Sequence, residues 1–314
     1  MTNKHFLAAF LSVSLFTFTA CEKEESIESL EENIEQPLEE DPEPIDFFKE
    51  YSRPTTSESS EYISEVLSYR PAPGQYINKN LGNLDSAETI VGGKTGLISL
   101  GAWGGSIIFT FDHTVMNRID DNDFIIYGNA FSTFSEPGIV QVSFDENGNG
   151  VADDTWYEIA GSAHTKTATL HKYKTTYTNP KSDTEAVTWT DNNGSNGSVS
   201  AGTLNKYPLF ISEQDQVIYS GTRLFPTVNG TGFITTDPLE WGYVDNYDST
   251  YQENGNGNVF DIDWAVDTDM NSVSLKGIDF IKVYTGAQLE LGFLGEMSTE
   301  IKGAADLSFS TNEE

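Results

Sequence analysis

The run Asp145-Glu146-Asn147-Gly148-Asn149-Gly150-Val151-Ala152-Asp153-Asp154 sets side-chain oxygens at alternate positions, with glycine sixth and an acid ninth. A hard cation needs several oxygens converging at short range, and a tight turn of this pattern supplies them, the seventh residue through its main-chain carbonyl. Asp145, Asn147, Asn149, Val151, Asp153 and Asp154 are therefore candidate ligands for a calcium ion that stabilises the fold. A true EF-hand would place glutamate at the twelfth position and continue as a helix; here Trp156 stands there and the following pattern is strand-like. Asp154 or Glu158 could complete the shell. The competing reading is a hairpin turn whose Asn and Gly residues only supply positive φ, which explains the glycines but not the acids.

A second oxygen-rich stretch comprises Asp245, Asn246, Asp248, the loop 253–258, and Asp261, Asp263 and Asp267 around Trp264. Alternation puts Asp261 and Asp263 on one strand face, where they need a cation or a base unless both face water. Flat aromatic faces beside polar groups bind sugars and planar rings, so Trp241, Tyr243, Asp245, Asn246 and Tyr247 form the candidate ligand patch. Paired carboxylates could also serve a glycosidase, but 49 acids make plausible pairs easy to find. Nucleophilic chemistry has little to work with. Beyond the leader only His113, His164 and His171 remain, the last two read as solvated loop residues, and no Gly-x-Ser-x-Gly elbow or phosphate-cradling glycine motif occurs.

The elements that must position these residues are strands. With 27 glycines, 11 prolines and abundant Thr, Tyr, Phe and Asn in 314 residues, no segment sustains a helical period. Short apolar or alternating runs predict strands at 106–111, 123–127, 138–144, 156–160, 186–190, 207–211, 259–266 and 278–284. The polar segment 165–200, with Lys166, Lys172, Lys174 and Lys181, reads as a long surface loop. The fold expected is an all-β antiparallel sandwich of jelly-roll type with long loops.

Lys4 precedes an apolar stretch from Phe6 to Phe18, short for a membrane span but right for a signal-peptide core, and Thr19-Ala20-Cys21 follows. This resembles a bacterial lipobox, with Phe18 in place of the usual leucine, and makes Cys21 the lipidated residue. From Glu22 to Glu50 there are 13 acids, two lysines and three prolines, the composition of a solvated tether. The organisation expected is a signal peptide over 1–20, an acidic tether over 21–55 and a binding domain over 56–314. A net charge of −32 repels phosphate backbones and excludes nucleic acid as a partner.

Glu22-Lys23-Glu24-Glu25 is similar to the acidic signal after the lipidated cysteine of surface-exported Bacteroidetes lipoproteins. Other phrases are Tyr69-Arg70-Pro71-Ala72-Pro73-Gly74-Gln75-Tyr76, the segment 123–131 ending in Tyr127-Gly128-Asn129-Ala130-Phe131, Glu136-Pro137-Gly138, the loop 145–157, the segments 241–247, 260–267 and 277–285, and Leu294-Gly295-Glu296-Met297-Ser298-Thr299-Glu300. Together they resemble a family of Bacteroidetes cell surface lipoproteins over about residues 66–307. The resemblance implies a lipoprotein anchored in the outer membrane and exposed at the cell surface, beside a TonB-dependent transporter, and the reading it leads to is non-enzymatic ligand capture. A corrinoid is the first ligand it suggests. A carbohydrate-binding lipoprotein is the alternative, and a glycan-active enzyme using paired carboxylates is the third class.

Overall fold

Along Ser106–Met116 apolar side chains recur at every second position, and Ile107, Phe109, Phe111 and Val115 are all buried. A two-residue period turns such residues to one face of a strand. In the computed structural model, which describes residues 46–182, 184–200, 213–231 and 234–312, this strand pairs on both sides along much of its length. The described strands, in chain order, are β1 (Glu65–Arg70), β2 (Ile98–Ser99), β3 (Ser106–Met116), β4 (Phe124–Tyr127), β5 (Gly138–Ser143), β6 (Tyr157–Ile159), β7 (Leu170–Thr178), β8 (Val187–Asp191), β9 (Asn196–Val199), β10 (Gln216–Arg223), β11 (Val228–Asn229), β12 (Thr235–Thr236), β13 (Gly257–Phe260), β14 (Ala265–Val266), β15 (Gly277–Thr285), β16 (Glu300–Ile301) and β17 (Gly303–Asp306).

A six-stranded sheet has the order β1-β3-β15-β5-β6-β14, and a three-stranded sheet the order β13-β4-β17. All these pairings are antiparallel. One apolar cluster draws Ile107, Phe109, Val140, Val142, Ile281 and Val283 from the larger sheet and Phe124, Ile126, Phe260 and Ala304 from the smaller, so the two enclose a sandwich core. The chain passes from the large sheet to the small between β3 and β4 and returns between β4 and β5. β16 pairs with β2 as a short ribbon, Glu300 opposite Ser99.

The polar segment 165–200 is not a surface loop. It builds β7, β8 and β9, which join β10 in a four-stranded sheet of order β10-β7-β8-β9. In β7 the lysines Lys172 and Lys174 are exposed while Tyr173, Thr175 and Tyr177 are buried. Tyr173 and Tyr177 pack with Trp103, Val187, Val199, Val217 and Tyr219 in a second core. Tyrosine here supplies the apolar area that the lysine count conceals.

The expected strand 259–266 is broken: β13 ends at Phe260, Asp261 caps a 3-10 turn by accepting the Asp263 N–H, and β14 then begins. The domain also begins earlier than residue 56. Asp46 caps the short helix α1 (Phe47–Tyr51), and the Phe48 ring lies 4.9 Å from that of Phe144. Arg53 then pairs with Asp279 at 3.0 Å and donates to the Phe111 carbonyl. Cys21, the signal peptide, the tether up to residue 45 and the predicted strand 207–211 lie outside the described residues.

Candidate functional site

In the 145–154 loop three side chains turn their oxygens back to the loop's own N–H groups. The Asp145 carboxylate accepts the N–H groups of Asn149 and Gly150, Asn147 Oδ1 accepts that of Asn149, and Asn149 Oδ1 accepts that of Val151. Gly148 and Gly150 take φ of 68° and 72°, the left-handed conformation the turn requires. Asn147 and Asn149 reach Asp154 and Asp153 with their amides. Burial raises the Asp154 carboxyl, with the charges of Asp145 and Asp153 adding to it, and its Oδ2 is buried without a partner. The predicted ligands thus share one loop, tied at its base by the Asp145 N–H to the Asp279 carboxylate at 3.0 Å.

The predicted ligand patch is not one surface. Trp241 is 42% exposed and packs against Trp264 at 4.7 Å, whereas Tyr243 is buried. Asn246 is also buried, its side chain spanning the Leu239 N–H and carbonyl, and Tyr247 is half-buried beside Tyr251. The other acids of the second stretch separate too. Asp248 holds Asn258, Asp263 accepts from Asn117, and Asp267 closes a turn to Asn271. These roles follow from a broken strand and tight turns, which carry neighbouring acids in different directions.

Asp245 alone reaches a centre that sequence reasoning missed. Its carboxylate meets those of Glu136 and Glu300, one oxygen from each lying within 4.8 Å of the others. Three segments make the meeting. The residues before β5 pair with 244–245, the Glu136 N–H reaching the Asp245 carbonyl at 2.9 Å and the Gly138 N–H that of Val244. β16 brings Glu300, whose N–H donates to Asp245 Oδ2 at 3.0 Å, while the Asn129 N–H donates to Oδ1 at 2.9 Å. Asp245 sits at φ 56°, a conformation few residues outside glycine tolerate. Gly128 leaves room for it: a Cβ there would stand 2.9 Å from Asp245 Oδ1.

Asp245 and Glu300 are buried and Glu136 half-buried. Burial pushes Asp245 up to about 7, and Glu136, also pressed by the Asp245 charge, up to about 8. Glu300 rises well above the carboxylate range through burial and the charges of Glu136 and Asp245, and shares a hydrogen bond with Glu136. Among the described residues no lysine, arginine or histidine forms an ion pair with any of the three. Three acids so placed hold protons or hold a cation.

The centre opens to a cavity of about 380 Å³. Glu136, Glu296 and Glu300 line its acidic side, and Tyr76, Phe131 and Phe134 supply aromatic walls. Phe131 is 65% exposed and Tyr76 38%, which places flat rings at the mouth. Glu296 is held by the Gln75 N–H at 2.7 Å. The phrases 69–76, 127–131, 136–138, 241–247 and 295–300, which carried the family resemblance, all contribute residues to this site or to its support.

His164 and His171 are not solvated loop residues. Their rings lie 6.1 Å apart, and His164 is buried with Nε2 3.0 Å from Glu158 and Nδ1 facing both the Gly161 N–H and the Tyr243 hydroxyl. The backbone N–H on Nδ1 puts the proton on Nε2, which donates to Glu158. Tyr284 donates to the other Glu158 oxygen at 2.7 Å. Burial works to raise Glu158, but His164, with the Thr222 and Tyr284 hydroxyls, outweighs it and holds the carboxyl below its usual value. This network ties β6 to β15 and to the 161–164 turn, and accounts for the burial of Tyr243. Neither a scan against protein-family models nor a search of curated proteins finds a match to the chain.

Proposed function

We propose that this protein is a cell-surface lipoprotein that captures an extracellular ligand in the pocket lined by Glu136 and Glu300, with Asp245 buried behind them, and passes it to a TonB-dependent transporter. The observation that carries the capture reading is the acidic cluster itself: of three clustered carboxylates, Glu136 and Glu300 line a cavity with aromatic walls and favour a ligand that brings positive charge or binds through a cation. The calcium loop at 145–154 is a separate, structural part of the same proposal, supported by the oxygens that Asp145, Asn147 and Asn149 turn back to the loop's own N–H groups. Glycosidase chemistry is disfavoured at the cluster, because Glu136 and Glu300 are hydrogen-bonded to each other and leave no space for a scissile bond between them.

The cavity, about 380 Å³, is small for a corrin macrocycle, which would have to lie across the mouth against Tyr76 and Phe131. Sugar-sized groups fit inside. Calorimetric titration of the full chain with cobalamin and with neutral oligosaccharides tests the reading, using Asn129→Trp to fill the pocket. Saturable binding that the variant loses is expected. Binding that survives a filled pocket would place capture elsewhere and overturn the proposal.

A further inference from the structure

We infer that the Glu136–Asp245–Glu300 centre is a divalent-cation site distinct from the 145–154 loop, and that the pocket takes neutral sugars whose vicinal hydroxyls complete the ion's shell. This rests on the capture reading above and specifies its ligand class.

Two oxygens bound to one calcium at about 2.4 Å lie at most about 4.8 Å apart. The triad's oxygens meet that limit. Each Asp245 oxygen accepts a backbone N–H, from Asn129 and Glu300, which aims the carboxylate while leaving it lone-pair capacity for a metal. A second observation points the same way. Tyr251 is 1% exposed, yet its hydroxyl makes no hydrogen bond. That hydroxyl feels the Asp245 charge, and the Ala130 N–H faces both groups. A buried hydroxyl without a partner beside a carboxylate cluster is what a site built for an additional ligand atom leaves behind.

Calcium takes six to eight oxygens, so three carboxylates leave positions for other donors. Glu136 and Glu300 line the cavity, so those positions face it. Adjacent hydroxyls of a sugar ring can occupy two of them at once, while the apolar face of the ring rests on Phe131 or Tyr76. Three carboxylates outweigh the two charges of the ion, and Glu296 adds another acid to the wall, so uronic and sialic acids are repelled.

Calcium stoichiometry of the full chain by calorimetry, and a printed array of neutral and acidic glycans read in calcium and in EDTA, test this together. The loop variant Asn149→Ala/Asp153→Ala should still bind one calcium and keep the neutral-glycan signal. Glu136→Gln, with Glu300→Gln as a second variant, should lose both, the glycan signal falling at least about tenfold, and EDTA should abolish the signal in the wild type. A loop variant that binds no calcium, a signal indifferent to EDTA, or a preference for acidic glycans would overturn the inference. Calcium at the triad with no neutral glycan bound would overturn the sugar assignment while leaving pocket capture standing, since only binding that survives Asn129→Trp removes that.

Discussion

Removing calcium is expected to make the stability of this protein fall as pH rises through neutrality. Burial raises Asp245 to about 7, so the folded state binds a proton there that the unfolded chain, at 3.8, has released. The stability contributed by such a group is complete below its unfolded pKa and is lost as pH climbs to the folded one. Between pH 5 and pH 8 about two pH units of that interval are crossed, worth about 3 kcal/mol at about 1.4 kcal/mol per unit. At about 2 °C per kcal/mol for a chain of this size, the unfolding midpoint in EDTA drops by about 6 °C. Glu136, raised to about 8, acts in the same direction but shares its proton with Glu300 and is not added separately. A bound cation displaces these protons and removes the slope. Burial lowers His113, but the hydrogen bonds and charges of Asp306 and Asp112 outweigh this and raise it, so its contribution also fades with rising pH, independently of calcium. The diagnostic is therefore the difference between scanning-calorimetry profiles in EDTA and in calcium across pH 5–8. Superimposable profiles, or a chelated profile that is flat or rising, would refute the reasoning.

Gly128→Ala should press a methyl group onto Asp245 Oδ1 and cost about 1–3 kcal/mol, read as a lower urea midpoint together with weaker calcium binding at the triad. His164→Leu should leave one Glu158 oxygen without its donor, Tyr284 still holding the other, and cost about 3 kcal/mol. Glu158, held low in the wild type, would then be raised, so the deficit should be larger at pH 8 than at pH 4, and an equal loss at both would count against the assignment. A chain shortened to begin at residue 56 removes Arg53 from the buried Asp279 and should melt well below one beginning at residue 46, whereas equal midpoints would return residues 46–55 to the tether. Asn149→Ala/Asp153→Ala should remove the stabilisation that calcium gives through the 145–154 loop, measured as a smaller calcium-induced rise in midpoint than in the wild type.

Much of the sandwich is legible because its strands are short apolar runs: 106–111 and 278–284 read as strands and fall within Ser106–Met116 and Gly277–Thr285, the second buried almost throughout. β7 alternates burial along residues 172–177, but with tyrosine inside and lysine outside its composition is that of a polar loop. The 145–154 loop can be singled out from sequence because its oxygen-bearing side chains are local. For the triad, one member could be singled out in the sequence. Asp245 stood in a stretch rich in acids and aromatics, while Glu136 and Glu300 lie far from it along the chain and looked like two of many acids. A weak signal did exist: Gly128 and Asp245 sit in phrases already noted for their resemblance.

The sequence alone determined what is local in this protein: the apolar runs that make strands, the glycine turns, and a loop that gathers oxygen-bearing side chains within ten residues. Tertiary structure decided everything that depends on distance across the chain. The pairing of the segment before β5 with residues 244–245, and the approach of β16, place three carboxylates within 4.8 Å. Folding likewise buried His164 against Glu158 and Tyr243 and separated Trp241 from its neighbours in sequence. The physical reason is that a charge's surroundings, and hence what it can bind, are set by which distant segments exclude water from it.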